Sequence, residues 1–231
     1  MNDPNLGMLE RAVTLLAPLL EELVFVGGCA TGLLISDPAS GGIRPTKDVD
    51  TIVEVSSYAQ YAQLSERLRS LKLHEDTRED APTCRWRKED LTIDIMPTDE
   101  RILGFSNRWY KPAIQSADSF TVGEHVIRLI NPVYFVATKL EAFHGRGKGD
   151  VTASHDLEDV VTVIDGRLEI IDEIHFAPEE VRMYIAEQFR ALLNDTDFAD
   201  SLPGFLFPDD ASQARAPLLR TRLQRAAKSA G

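Results

Sequence analysis

The most informative segment of this chain is Lys47-Asp48-Val49-Asp50-Thr51-Ile52-Val53. Its β-branched residues predict a strand over residues 49–55. Alternate residues of a strand point to the same face, so Asp48 and Asp50 project together while their apolar neighbours point into the core. Two adjacent carboxylates repel each other and are costly to bury, and a bound divalent cation such as Mg²⁺ removes that cost. A DxD pair by itself is more often an exposed loop or strand end, so further ligands are needed.

A third carboxylate lies in the apolar run Leu91-Thr92-Ile93-Asp94-Ile95-Met96. Asp94 stands between two isoleucines and projects to the face opposite theirs. An aspartate inside an apolar strand is disfavoured unless it has a partner, although at a sheet edge it can be a simple surface charge. If this strand lies beside the DxD strand, three carboxylates converge, as a two-metal site for phosphoryl chemistry requires.

A glycine pair precedes both strands. The apolar run Leu23–Val26 predicts a buried strand, and Gly27-Gly28 closes it before a predicted helix over 30–35. Glycines at the start of a helix allow backbone N–H groups to face a phosphate. A tight strand-to-helix turn explains the pair equally well, so the glycines gain functional meaning only together with the aspartates.

Hydrophobic spacing predicts the other elements. The first half of the chain is predicted as α/β to about residue 130, and the second half, 131–231, as helical. The predicted strands are 83–87, 91–96, 119–122 and 125–130, and the predicted helices cover 6–20 with a break at Pro18, 58–71, 132–143, a segment from Ser154, 178–193 and a last stretch around 218–223.

Composition narrows the function classes. The net charge of −12 argues against a general nucleic-acid-coating protein, because phosphate neutralisation drives that binding. Five basic residues and no acids follow Asp210, and they are either a solvated helix face or a local RNA contact. The two cysteines have no ligand spacing, and no secretory signal or membrane-spanning run is seen, so we expect a cytoplasmic protein without membrane attachment.

The order of these motifs resembles the DNA polymerase β superfamily of nucleotidyltransferases. The resemblance covers about residues 22–165 and implies a mixed sheet flanked by helices and followed by a helical second half. It implies two Mg²⁺ ions, with Mn²⁺ as a substitute, and transfer of a nucleoside monophosphate from an NTP. Asp48, Asp50 and Asp94 would be metal ligands, Asp94 would also act as base, and the nucleotide would contact Gly27, Gly28 and Lys47.

The second half resembles the AbiEii-type nucleotidyltransferases of toxin–antitoxin and abortive-infection systems. Lys139, then Arg146 and Lys148, then Asp156 with Asp159 follow that family's K…RxK…DxxD order. The resemblance implies that Lys139, Arg146 and Asp156 bind the nucleotide and that the helical domain, 131–231, completes the cleft. It also implies an RNA acceptor, with tRNA foremost, and a cognate antitoxin protein.

Simpler interpretations remain for these residues. Lys139 lies on a largely apolar helix, where a lysine commonly extends its ammonium to solvent. Arg146 lies in a glycine-rich segment that is equally typical of a solvated turn, and Asp156 favours a helix N-terminus electrostatically. The sequence also departs from the family's pattern. The interval 37–46 looks like an insertion, and Cys29 replaces the usual Ser or Thr, leaving Thr31 as another source of a hydroxyl.

Two other functions stay open at this point. In the first, the acceptor is a small molecule, such as an aminoglycoside, or a protein side chain instead of RNA. The negative net charge of the chain suits a cationic aminoglycoside. Alternatively, the chain binds a nucleotide without turnover, although the presence of all three aspartates speaks against this.

Overall fold

The computed structural model describes residues 3–146 and 151–229 and divides the chain into two compact units. The first, here called the sheet unit, comprises Pro4–Ala30 and Pro45–Asn131. The second, the helical unit, comprises Met1–Asp3, Thr31–Arg44 and Pro132–Gly231. The segment Thr31–Arg44 therefore groups with the C-terminal half. The assignment of 1–130 and 131–231 as functional domains stays a prediction.

The sheet unit contains every strand of the described residues. In chain order its elements are α1 (Leu6–Leu15), the 3₁₀ helix Ala17–Leu19, β1 (Leu23–Val26), β2 (Val49–Val53), α2 (Tyr58–Ser70), β3 (His74–Glu75), β4 (Arg85–Lys88), β5 (Leu91–Pro97), α3 (Glu100–Leu103), α4 (Tyr110–Gln115), β6 (Asp118–Val122) and β7 (His125–Leu129).

One mixed sheet of seven strands organises this unit, in the order β3-β4-β5-β2-β1-β7-β6. β2 is central, pairing antiparallel with β1 and parallel with β5. Its residues Val49, Ile52 and Val53 are buried, because β2 has a strand on each side and α1 and α4 pack against it. The mixed sheet with helices confirms the predicted α/β class.

The predicted elements recur with small shifts at their ends. Pro18 ends α1 early, and the chain continues as one 3₁₀ turn, because proline removes a backbone donor and clashes with the preceding turn. The helix expected over 30–35 is a 3₁₀ helix, Gly28–Leu34. The short helices α3 and α4 have no counterpart in the sequence prediction, since helices of 4 and 6 residues are too short to show a period.

The helical unit is built from seven helices among its described residues. They are α5 (Pro132–Arg146), α6 (His155–Gly166), α7 (Ile170–Phe176), α8 (Glu179–Asn194), α9 (Thr196–Ser201), α10 (Asp210–Gln213) and α11 (Ala216–Ala227), with the 3₁₀ helix Leu202–Phe205 between α9 and α10. Apolar faces of α5, α6, α8 and α11 form its core, which includes the buried side chains Phe135, Leu157, Phe189 and Leu223.

The long interval between the glycine pair and the DxD strand lies against this unit. The backbone N–H groups of Ser36 and Asp37 both donate to the carbonyl oxygen of Gly166, at 3.1 and 2.9 Å. At Gly42 a Cβ atom would lie 2.7 Å from the ring of Phe207, so this ring packs directly against the glycine backbone. The apparent insertion is thus, as far as Arg44, a packed part of the helical unit.

No helix among the residues that the structure describes is long and apolar enough to cross a membrane.

Candidate functional site

Two aspartates lie side by side on adjacent strands in the middle of the sheet. In the parallel pair of β2 and β5, Asp50 is the register partner of Asp94. Paired residues of neighbouring strands project to the same face, so the two carboxylates share it. Asp48 directly precedes β2 and, two residues before Asp50, is on the same side. The structure therefore brings the three predicted aspartates to one edge of the sheet unit.

Asp94 is buried, with 6% of its surface exposed, and one arginine neutralises it. Arg85 donates from Nε to Oδ1 of Asp94 and from Nη2 to Oδ2, both at 2.8 Å. The same Nη2 donates to Oδ2 of Asp48 at 2.6 Å. The hydrogen bonds to Asp94 raise the pKa of the Arg85 guanidinium above its usual range, so this side chain stays charged.

Arg85 was not predicted as a site residue from the sequence, because its position depends on the register of a hairpin. β4 and β5 form a hairpin in which Lys88 pairs with Leu91 and Arg85 pairs with Asp94. The loop therefore has two residues, and its first, Glu89, takes a φ of +56°, as tight hairpin loops require. The strands predicted at 83–87 and 91–96 leave a three-residue loop instead, and that register would place Cys84 opposite Asp94.

The donor set fits a hard divalent cation, which prefers carboxylate oxygens. In the side-chain arrangement of residues 3–146 and 151–229, however, no group of three or more His, Cys, Asp or Glu is positioned to hold a metal ion. In this arrangement the fork of Arg85 engages both oxygens of Asp94 and one of Asp48. Thr46 donates to the other oxygen of Asp48 at 2.9 Å.

The glycine pair has a geometric role beside these carboxylates. Gly27 has a φ of +69°, and a Cβ atom there would lie 1.9 Å from Oδ2 of Asp50. Gly27 follows Val26, the β1 residue that pairs with Asp50, so its bare Cα leaves room for that carboxylate. Gly28 begins the 3₁₀ helix that follows. Lys47, beside Asp48, is exposed.

The two alternative side chains after the glycines are both buried. The thiol of Cys29 contacts the carbonyl oxygen of Val26 at 3.2 Å, so it bonds locally. Thr31 is 1% exposed, and its hydroxyl has no hydrogen-bond partner among the described parts of the chain. A hydroxyl buried in this way is costly unless a water or a ligand group satisfies it.

Cys84 lies next to the carboxylate cluster at the start of β4. Burial raises the pKa of its thiol to about 12, and the nearby charges of Asp94 and Asp50 act in the same direction. The side chain is therefore a neutral thiol at physiological pH.

The predicted nucleotide-binding residues Lys139 and Asp156 contact each other in the helical unit. Nζ of Lys139, on α5, lies 3.1 Å from Asp156 and 2.7 Å from Asp159, both on α6. Arg44 reaches the same turn of α6, at 3.3 Å from both Asp159 and Glu158. Lys139 thus has carboxylate partners instead of extending to solvent. The nucleotide-binding roles stay predictions.

Arg146 was expected in a loop, and that expectation is wrong for its backbone. α5 continues past Phe143 and includes Arg146 in its last turn. One glycine, Gly145, costs a helix only about 1 kcal/mol, and the packing of the helix overrides this cost. Lys148 lies outside the described residues.

The C-terminal arginines make contacts within the helical unit. Arg215 forms ion pairs with Asp37 and Asp165, both at 2.8 Å. Arg222 donates to the carbonyl oxygen of Ile164 at 3.0 Å, and Arg220 donates to that of Ala199 at 2.8 Å. These three guanidinium groups therefore hold α11 in place.

Solved structures of nucleotidyltransferase-like proteins are similar to this chain. The chain is similar to an antigenic nucleotidyltransferase-like protein from Paracoccidioides brasiliensis, with a TM-score of 0.51 and 17% identity over 84% of this chain and 93% of that one. It is also similar to a candidate nucleotidyltransferase from H. pylori, with a TM-score of 0.51 and 12% identity over 100% and 97% of the two chains.

This chain has the nucleotidyltransferase-like fold. A third similar structure, ANT(2″)-Ia in complex with adenylyl-2″-tobramycin, has a TM-score of 0.45 and 14% identity over 79% of this chain and 98% of that one. No family model matches the chain, and no curated protein matches it. At these identities the similarity establishes the fold, and the AbiEii-type assignment remains a resemblance of motifs.

Proposed function

We propose that this protein is a divalent-metal-dependent nucleotidyltransferase that transfers an NMP from an NTP to an acceptor hydroxyl. The observation that carries the proposal is the register of Asp50 with Asp94 on adjacent parallel strands, with Asp48 on the same face. Three carboxylates crowded on one face of a sheet repel each other, and Arg85 contacts two of them, Asp48 and Asp94. A divalent cation bound by carboxylate oxygens would relieve this repulsion.

The chain's own residues supply the ligands and their placement. Asp48, Asp50 and Asp94 would hold the metal, and Asp94 is fixed by hydrogen bonds to both of its oxygens. Gly27 leaves room for the carboxylate of Asp50. Bound Mg²⁺ would supply charge neutralisation at the triphosphate and would lower the pKa of the acceptor hydroxyl. Asp94 is the proposed acceptor of the hydroxyl proton.

For the acceptor we propose an RNA end, with tRNA foremost, in a toxin–antitoxin setting with an antitoxin protein as partner. The motif order from Lys139 to Asp159 supports this proposal. The basic C-terminal residues give it less support than their sequence suggests, because Arg215, Arg220 and Arg222 are engaged within the helical unit.

A small cationic acceptor is the second candidate, and charge favours it. The chain carries 37 acidic against 25 basic residues, so a polycationic molecule is attracted where a polyanion is repelled. An aminoglycoside-like amine-rich alcohol has the required charge and hydroxyl groups.

The deciding experiment incubates the purified protein with Mg²⁺, each α-³²P-labelled NTP separately, and either total tRNA or a panel of aminoglycosides. We expect label on one acceptor class with a preferred NTP. Asp48→Asn, Asp50→Asn and Asp94→Asn should each reduce transfer by roughly 10² or more, because each removes a metal ligand. Asp80→Asn, an exposed carboxylate of the same unit, is the matched control and should not change the rate.

The outcomes separate the hypotheses. Transfer that survives in the Asp48 and Asp50 variants would contradict the metal site. NTP-induced stabilisation without release of pyrophosphate would instead identify a nucleotide-binding domain without turnover. Growth inhibition on expression supports the toxin role, whereas drug resistance without toxicity supports the small-molecule acceptor.

A further inference from the structure

The geometry points to a competition at the carboxylate site: we propose that Arg85 occupies the position of a cation in the metal-free protein and gives up part of its contacts when a divalent metal binds. Arg85 would then be a positioning residue that holds Asp48 and Asp94 together and lowers their affinity for metal. The inference rests on the proposed function, in which these aspartates are the metal ligands.

The burial of Asp94 makes a counter-charge necessary. Burial of a charged carboxylate that is 6% exposed costs free energy unless hydrogen bonds or an opposite charge compensate it. The guanidinium of Arg85 supplies both, and its side chain is itself only 20% exposed. A planar fork that matches the two carboxylate oxygens is a property of arginine that lysine lacks. Arg85 is therefore built into the site.

The contacts of Arg85 use the oxygens that a metal ion would need. Nη2 lies within hydrogen-bonding distance of one oxygen of Asp48 and one of Asp94, so it bridges the two side chains. Nε takes the second oxygen of Asp94. A cation that bridged Asp48 and Asp94 would meet the same oxygens, and at least one of these hydrogen bonds would have to lengthen or break.

The positive charge of Arg85 predicts how its removal changes the affinity for metal. A positive group in direct contact with two ligand carboxylates reduces their attraction for a divalent cation. Loss of that group leaves Asp94 buried without its partner, and so the metal-free protein becomes less stable while metal binding becomes tighter. A salt bridge with a purely structural role would show the first effect without the second.

The experiment measures Mn²⁺ binding and thermal stability together. We would compare Arg85→Gln and Arg85→Lys with the wild type, using the electron paramagnetic resonance signal of free Mn²⁺ and the melting temperature with and without Mn²⁺. Arg87→Gln is the matched control, because Arg87 lies two residues further along β4 and pairs with Thr92 instead of Asp94.

We expect Arg85→Gln to bind Mn²⁺ on the order of tenfold more tightly, to melt lower without metal, and to regain stability when Mn²⁺ is added. Arg85→Lys should lie between it and the wild type, and Arg87→Gln should bind within about twofold of the wild type. Unchanged or weaker Mn²⁺ binding by a folded Arg85→Gln protein would overturn the inference.

A measurement on the wild type covers the case in which the variants do not fold. The Nε–H proton of Arg85 should exchange slowly with water in the metal-free protein and faster when Mg²⁺ is saturating. Equal protection in both states would overturn the competition. If the wild type binds Mn²⁺, Asp50→Asn does not, and substitution of Arg85 has no effect on the affinity, only this inference is rejected. If neither the wild type nor Arg85→Gln binds Mn²⁺, the proposed metal site is rejected as well.

Discussion

Nζ of Lys139 lies 2.7 Å from Oδ2 of Asp159, a carboxylate with only 3% of its side chain exposed. Arg44 approaches the same carboxylate at 3.3 Å, so two cations from distant parts of the chain meet on one buried acid. The lysine and the acid come from neighbouring helices, α5 and α6. This pair therefore contributes to the packing of the helical unit, apart from any role with nucleotide.

Asp159→Asn should lower the free energy of unfolding by about 1–3 kcal/mol, because it leaves two partly buried cations without their shared counter-charge. The urea-unfolding midpoint measures the change. Asp172→Asn is the control, since Asp172 is 75% exposed and lies 3.6 Å from Arg225, and its effect should stay within about 0.5 kcal/mol. Equal effects of the two substitutions would contradict the buried role of Asp159.

Gly27→Ala should weaken Mn²⁺ binding at the carboxylate site, an effect that the backbone strain of a positive φ does not explain. The new methyl group would lie 1.9 Å from the carboxylate of Asp50. Gly123→Ala is matched to it, because Gly123 has a φ of +57° and no atom within 4 Å of the added methyl. We expect both to cost about 1 kcal/mol in backbone strain, while only Gly27→Ala weakens Mn²⁺ binding. Unchanged Mn²⁺ affinity in Gly27→Ala would argue against this close approach.

Stability should fall at high pH through Cys84. The pKa of this thiol is raised from 9.0 to about 12 in the folded protein, chiefly by burial. A raised pKa gives stability that is fully present below the pKa of the unfolded chain, about pH 9, and that is lost as the pH rises toward 12. The difference in urea midpoint between the wild type and Cys84→Ala should therefore shrink above pH 9. A constant difference from pH 8 to 11 would refute this assignment.

Arg215→Gln should be strongly destabilising although Arg215 belongs to the basic C-terminal segment. It pairs with Asp37 and Asp165, and its side chain is 13% exposed. Removal of one member of a buried ion network costs about 3–5 kcal/mol, which thermal melting would detect. Arg225→Gln, at an arginine with 61% exposure, should change stability by less than about 0.5 kcal/mol. A stable Arg215→Gln protein with impaired RNA binding would support an RNA contact instead.

Thr31→Val tests the buried hydroxyl after the glycine pair. Valine has the same shape, and the hydroxyl has no hydrogen-bond partner within the described residues. The substitution should leave stability unchanged or increase it by up to about 1 kcal/mol, since it removes an unsatisfied polar group. If the hydroxyl binds the NTP, the same variant will lose NTP-induced stabilisation. A less stable variant would show that a bound water satisfies Thr31.

The strands and their carboxylates could be predicted from local pattern. The alternation in β2 and β5 gives the direction of Asp48, Asp50 and Asp94 because side chains in a strand alternate with period two. Arg85 was missed because its position depends on the hairpin register, and a slip by one residue turns every side chain of β4 to the other face. Asp156 and Asp159 share a face of α6 because residues three apart on a helix are neighbours. Their contact with Lys139 depends in addition on the packing of α5 against α6.

Three features follow from the sequence alone: Asp48 and Asp50, at the start of β2, point to one face; a glycine turn follows β1; and the second half of the chain is helical. These are local properties, set by side-chain period, backbone freedom and propensity. The tertiary structure alone decided that β5 lies parallel beside β2, that Arg85 bridges Asp48 and Asp94, and that Arg44 meets Lys139 on Asp159. Such contacts join residues far apart in the chain, and they depend on which strands pair, in which register, and on the cost of closing the loops between them.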